Sequence, residues 1–139
     1  MYKDNVDKKI IEYLKENSRE SFVDIGKKLK LSESAVRRRV KNLLDSGTIK
    51  KFTLELGEEN TTSAIVLVSV DSATDTSKVS LKLTKLEGVK TVYEITGQYD
   101  ITTIISAATI TEINSSIDAL RKIPGVVDTN TVIILKKVI

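Results

Sequence analysis

Two apolar stripes of helical period, joined by only about three residues, constrain this chain more than any other feature. In residues 32–44, SESAVRRRVKNLL, Val36, Val40, Leu43 and Leu44 recur at i, i+4, i+7 and i+8, the buried stripe of a helix. In residues 21–31, SFVDIGKKLKL, Phe22, Ile25 and Leu29 share one helical face. Ser21 with Asp24 three residues later has the spacing of a capping box, and Ser32 stands where its hydroxyl can cap the second helix. Two short helices joined through residues 30–32 have helix-turn-helix spacing. Gly26 suits a steep crossing, where backbones approach closely. The turn of such a pair normally carries glycine, and this chain has Lys30 there. A left-handed lysine costs on the order of 1 kcal/mol, so the turn is either strained or of another geometry.

The second helix is basic on its outer side. At about 100° per residue, Ser34, Arg38, Lys41 and Asn42 point away from the apolar stripe, with Arg37 and Arg39 on its flanks. Such a face suits a DNA groove, and it also suits a solvated surface. Charge is divided unevenly: residues 1–57 carry 14 Lys/Arg against 9 Asp/Glu, and residues 58–139 carry 8 against 10. A basic head on a near-neutral body is the pattern of a nucleic-acid-binding domain joined to a second domain.

At 139 residues the chain holds at most two small domains. Domains of about 50 and 75 residues have marginal cores, so association between copies is expected. The chain contains no cysteine and no histidine, which removes disulfides, thiol nucleophiles, the commonest general base and the commonest transition-metal ligand. No apolar run approaches the roughly 18 residues of a membrane span, and the N-terminus lacks the apolar core of a signal peptide. A cytoplasmic protein is expected.

The first helix is expected from Asp4 or Asn5 to near Asn17, with Val6, Ile10, Ile11 and Leu14 as its stripe, and Asp45, Ser46 and Gly47 stop the basic helix. Residues 49–56, IKKFTLEL, read as an exposed strand that needs a pairing partner, most simply the same strand of a second chain. A polar linker, GEENTTS, follows. Strands are then expected at 64–70, 89–96, 101–107 and 126–135, and helices at 76–86 and 110–122, with Thr109 and Glu112 forming a capping box. The order β-α-β-β-α-β is the ferredoxin-like arrangement. The expected class is α+β: a three-helix, winged-type helix-turn-helix domain at 1–48, a hinge strand and linker at 49–62, and a ferredoxin-like ligand-binding and oligomerisation domain at 63–139.

Between the second and third of those strands lie Gly97, Gln98, Tyr99 and Asp100. Glycine and aspartate in a short connection are turn-formers, glycine through positive φ and aspartate through bonds to nearby amides. They also suit a small amino acid, with Asp100 on its ammonium and backbone amides on its carboxylate. Thr129 and Thr131 offer hydroxyls for the same task, or serve as ordinary β-branched strand residues. No catalytic constellation, metal-ligand set or phosphate loop stands out.

The spaced motifs together resemble the Lrp/AsnC, or feast/famine, regulators, in their archaeal-type form. Asp4 and Asp7 before Ile10 and Ile11, then Asn17, Ser18 and Arg19, resemble the family's opening helix and following turn. Ser32, Val36, Arg39, Leu43, Gly47 and Ile49 resemble its recognition helix and exit, and Gly88, Val89, Gly97, Tyr99, Asp100, Thr131, Val132 and Leu135 its effector domain. Lys30 in the turn departs from that pattern. The resemblance implies a dimeric transcriptional regulator, with the hinge strand and sheets as interfaces and dimers assembling into higher oligomers such as octamers. It also implies that an amino acid binds between dimers, near residues 97–100 of one subunit and Thr129 or Thr131 of a neighbour.

The leading expectation is a sequence-specific regulator of double-stranded DNA that responds to a small amino acid and needs no other cofactor. Ser34, Ala35, Arg38 and Asn42 then read base edges, and Arg37, Arg39 and Lys41 hold phosphates, with Ser21 and Ser32 at the helix starts on the DNA side. Arg39 has a second reading, as a tie between the helix and the rest of the head. The alternative function is an architectural, DNA-compacting protein of little sequence preference. A third reading is enzymatic: tetrapyrrole decarboxylases of the same two-domain form are expected to rely on histidine, which this chain lacks.

Overall fold

Each N-terminal helix begins where a short side chain accepts one of its unpaired first amides. Asp4 caps α1 (Asn5–Glu16) by accepting from the Asp7 amide at 2.9 Å. Ser21 caps α2 (Phe22–Leu29), taking the Asp24 amide at 3.0 Å and donating its own hydroxyl to the Asp24 carboxylate at 2.7 Å. Ser32 caps α3 (Glu33–Asp45) through the Ala35 amide at 3.2 Å. The computed structural model describes residues 4–56 and 60–138. It divides into two compact units, Met1–Leu56 and Gly57–Ile139.

In the first unit Ile10, Leu14, Ile25, Val36 and Val40 form the core. Leu43 is buried, but Leu44 is 38% exposed. Eight residues beyond Val36, its position has drifted about 80° round the helix, to the edge of the stripe. Gly26 is buried at the junction, and a Cβ built on it would lie 2.5 Å from the Leu31 carbonyl oxygen. Lys30 resolves the question of the turn: it is left-handed, at φ 56° and ψ 45°, and its amide returns to the Gly26 carbonyl to close α2. That conformation costs a lysine roughly 1–2 kcal/mol.

Residues 49–56 form no strand within one chain. Ile49 packs against the core of the head and its amide reaches the Leu43 carbonyl at 2.9 Å, whereas Phe52, Leu54 and Leu56 are 46%, 77% and 62% exposed. The expected hinge strand thus has no ladder among the described residues. Part of the expected linker, residues 57–59, lies outside the described residues.

The second unit runs β1 (Thr62–Val70), α4 (Thr76–Leu83), β2 (Val89–Glu94), β3 (Ile101–Ala107), α5 (Ile110–Arg121) and β4 (Val126–Ile134). The strands form one antiparallel sheet in the order β2-β3-β1-β4, the ferredoxin-like arrangement. One face carries Ala64, Val66, Val68, Ile101 and Ile105, packed with Val79 and Leu83 of α4 and Ile113, Ile117 and Leu120 of α5. The register puts Ile65, Leu67, Ile104, Val132 and Ile134 on the other face, where they remain partly or largely accessible. Helix α4 is shorter than its apolar spacing predicts. After Leu83 the amides of Lys85 and Leu86 return to Lys82 and Leu83 in tighter i→i+3 turns, which still pack Leu86 against the core. Among the described residues, no helix is long and apolar enough to cross a membrane.

Candidate functional site

Helix α3 presents a stripe of hydrogen-bonding side chains opposite its buried face. Ser34, Arg38 and Asn42 are spaced at i, i+4 and i+8 and all are exposed, with Ala35 half-buried beside them. The neighbouring cations are compensated. Arg37 pairs with Glu33 and also lies over the Phe22 ring, 5.3 Å from its centroid. Lys41 pairs with Asp45 at 2.8 Å, which pushes the lysine pKa up. Arg38 has no carboxylate partner among the described residues. Ser32 and Ser21 are engaged as caps, and the Ser32 hydroxyl also lies 3.1 Å from that of Ser34.

Arg39 has a different environment. Its guanidinium donates to Asp4 Oδ2 and to Asp7 Oδ1, each at 2.8 Å, tying α3 to the first turn of α1. Those two bonds push the arginine pKa up. The Asp4 carboxyl is held below its ordinary range, first by the Asp7 amide and next by Arg39. Asp7, only 3% exposed, is not among the site residues expected from the sequence. Its signal was present: Asp7, Ile10 and Leu14 stand at i, i+3 and i+7, so a carboxylate interrupts an apolar stripe and demands a buried partner.

Residues 97–100, between β2 and β3, form a bonded turn. The Asp100 carboxylate accepts the Val70 amide at 2.8 Å, its amide donates to the Val68 carbonyl at 2.9 Å, and its carbonyl receives the Ile95 amide at 2.9 Å. Gly97 stands at φ 120° with open space where a Cβ would project. Gly97 and Gln98 are exposed, and Tyr99 and Asp100 half-buried. Thr129 and Thr131 lie on β4, opposite Val68 and Val66, on the helix-covered face. The Thr129 hydroxyl accepts from Arg121 Nε at 3.0 Å, and the Thr131 hydroxyl is buried without a hydrogen-bond partner among the described residues. Strand β1 separates these threonines from the 97–100 turn, so a single chain does not bring the two groups together. A recess of about 290 Å³ opens at Arg121, Val126, Val127, Asp128 and Thr129. A larger one, about 640 Å³, lies by Ser106 and Ala107, at the opposite end of β3 from the turn.

Two domain families account for nearly all of this architecture. The AsnC-type helix-turn-helix domain matches residues 4–44, and the Lrp/AsnC ligand binding domain matches residues 63–139. The chain belongs to the Lrp/AsnC family. It is 47% identical over 133 residues to the HTH-type transcriptional regulator LysM of Saccharolobus solfataricus, a match spanning 96% of this chain and 94% of that protein. Against the HTH-type transcriptional regulator FL11 of Pyrococcus furiosus the identity is 38% over 136 residues, spanning 96% and 89%. Among solved structures, a Neisseria meningitidis transcriptional regulator in complex with L-Met superposes with a TM-score of 0.83 at 26% identity, covering 97% of this chain and 91% of that one. Bacillus subtilis LrpC gives 0.78 at 30% identity, covering 99% and 98%. The Lrp/AsnC chain is thus a transcriptional regulator with a helix-turn-helix DNA-binding domain and a ligand-binding domain, and archaeal relatives predominate, as the archaeal-type resemblance implied. These relatives are regulators and not enzymes. Arg121, the partner of Thr129, gave no sequence signal, because a charged residue on the exposed side of a helix is ordinary.

Proposed function

We propose that this regulator recognises specific sequences in double-stranded DNA through α3, and that a small amino acid bound between dimers alters its assembly and hence the sites its paired heads span. The observation that carries the reading is the Ser34, Arg38, Asn42 stripe, in which Arg38 is the one arginine of α3 without a carboxylate partner among the described residues. A bidentate guanidinium between two small hydrogen-bonding side chains is suited to the edge of a guanine. Arg37 and Lys41, exposed beside it, serve the phosphates; Arg39, committed to Asp4 and Asp7, serves the head. An architectural role has no comparable support, because phosphate binding alone does not call for such a stripe.

The effector reading draws on the 97–100 turn, with backbone exposed at Gly97, and on the L-Met complex of the Neisseria relative. Association draws on the uncovered apolar sheet face and on the exposed Phe52, Leu54 and Leu56, surfaces that a second copy would bury in a dimer; octamers follow if dimers share effector sites. The reading calls on no cofactor beyond the amino acid, and a DNA-binding role suits the cytoplasm. An amino acid changes the assembly only through unequal affinity for its two forms.

The test is selection of duplexes from a random library by the full-length protein, followed by affinities for the selected and a scrambled duplex. Arg38→Ala is expected to reduce discrimination by roughly 1–3 kcal/mol, whereas Lys41→Ala weakens both duplexes alike. Unchanged discrimination in Arg38→Ala would sink the assignment.

A further inference from the structure

Lys30 is the one non-glycine residue with positive φ among the described residues. It is exposed, and no carboxylate among the described residues pairs with it. Its neighbours on α2 and α3 differ: Lys27 has Asp24, Lys28 has Glu20, Arg37 has Glu33, Arg39 has Asp4 and Asp7, and Lys41 has Asp45. Along this pair of helices, only Lys30 and Arg38 lack a carboxylate partner among the described residues. Glycine would occupy the same turn without strain, so the backbone at this position does not itself call for a lysine. A conformation kept against its intrinsic preference, in an exposed residue with no carboxylate partner among the described residues, points to function.

We propose that Lys30 is a DNA phosphate contact, placed by the strained turn at the mouth of the groove that α3 enters. The inference rests on the DNA reading above. Lys30 stands two residues before Ser32, the cap of α3. The first residues of a recognition helix meet the base edges, while the elements beside them lie along the sugar-phosphate backbone. A flexible ammonium at that point reaches a phosphate without sequence preference, as a point charge does. Arg38 and Lys30 then divide the work: the first reads sequence, and the second adds affinity and fixes the approach of the helix.

Affinities of the full-length wild type, Lys30→Gly and Lys30→Arg are measured on the selected and scrambled duplexes across a salt series, with thermal melting of each protein. Lys30→Gly is expected to melt no lower than wild type, because relief of the left-handed strain offsets the extra freedom glycine gives the unfolded chain. It is expected to bind both duplexes more weakly by the same factor. Loss of one phosphate contact lowers the slope of log K against log salt by about 0.9, so the ratio of wild-type to variant affinity shrinks about 3.5-fold between about 50 and 200 mM salt. Lys30→Arg keeps the slope. A Lys30→Gly slope equal to that of wild type overturns the assignment of Lys30 alone, as does a loss confined to the selected duplex. Wild-type protein that binds neither duplex overturns the DNA reading and this one with it.

Discussion

Replacing Arg39 by methionine removes the cation that ties α3 to α1 while keeping a side chain of similar reach. The guanidinium lies 2.8 Å from both Asp4 and Asp7, but the Asp7 side chain is only 4% exposed, against 44% for Asp4. On loss of the arginine, Asp4 turns to water and Asp7 stays where water scarcely enters. A pair of charges at about 4 Å and an effective dielectric near 20 attracts by about 4 kcal/mol. Stranding one member of a fully buried pair costs about 3–5 kcal/mol. Arg39 is itself 29% exposed, so screening reduces both figures, and Arg39→Met is expected to destabilise the head by about 2–4 kcal/mol. A core of this size rarely supplies more than about 3–5 kcal/mol, so the variant head sits close to its unfolding midpoint at room temperature. Urea unfolding followed by helical circular dichroism reads the loss directly. The decisive comparison is rescue: Asp7→Asn in the Arg39→Met background recovers much of it by removing the buried charge, and Asp4→Asn recovers little. A loss below about 1 kcal/mol, or equal rescue by the two asparagines, refutes the reasoning.

Gly26→Ala puts a methyl group 2.5 Å from the Leu31 carbonyl oxygen, so the turn itself must shift, and a loss of about 2–3 kcal/mol is expected by urea unfolding; an unchanged midpoint denies the close approach. The Asp4 carboxyl is lowered on folding from its ordinary value of 3.8 by the Asp7 amide and by Arg39, so it binds fewer protons in the native state than in the unfolded one. Its contribution is complete above the unfolded value and is lost as pH falls through the folded one. Wild type is therefore expected to lose stability more steeply than Asp4→Asn below about pH 4, and parallel pH curves count against the cap and ion pair.

Local signals carried most of the architecture. Ser21, Ser32 and Thr109 each stand one residue before the helix they were expected to cap, because a cap acts through amides two or three residues away, and Asp4 caps the helix expected to start there or at Asn5. The missing turn glycine left strain or another geometry as the two readings of Lys30, and the left-handed backbone there decides for strain. Longer-range pairings were less legible. Three consecutive arginines are equivalent by composition, and their fates diverge through partners at different distances along the chain: Glu33 for Arg37, and Asp4 and Asp7 for Arg39. Helical geometry placed Arg38 outward, but it left both roles open for Arg39 because it does not reveal which carboxylate of α1 faces α3. For Asp100 both roles were also open. Its bond to Val70 depends on where β1 ends, and the β1–β4 register shifts between Ser69 and Val70. A hinge strand was legible as an apolar alternation, yet one chain holds no ladder for it.

The separation of the candidate effector residues has a consequence that size alone dictates. The 97–100 turn leads into β3, and Thr129 and Thr131 lie on β4, with β1 between. Two strand spacings make roughly 10 Å of backbone separation. The side chains also aim apart, Asp100 onto the Val70 amide and Thr129 onto Arg121. An α-amino acid carries its ammonium and carboxylate on a single carbon, and it is too small to close both groups of one protomer. A site that uses Asp100 for the ammonium and a β4 hydroxyl for the carboxylate therefore takes them from different subunits. Asp100→Ala and Thr129→Val, each prepared alone, are expected to lose amino-acid binding in a thermal-shift screen of the twenty amino acids while wild type responds to at least one. When equal amounts of the two variants are unfolded and refolded together, chance pairing gives about a quarter of the sites both intact groups, and that fraction of the calorimetric binding returns. Return of no binding on mixing, with each variant still associating as wild type does, would show that the two residues do not share a site across subunits.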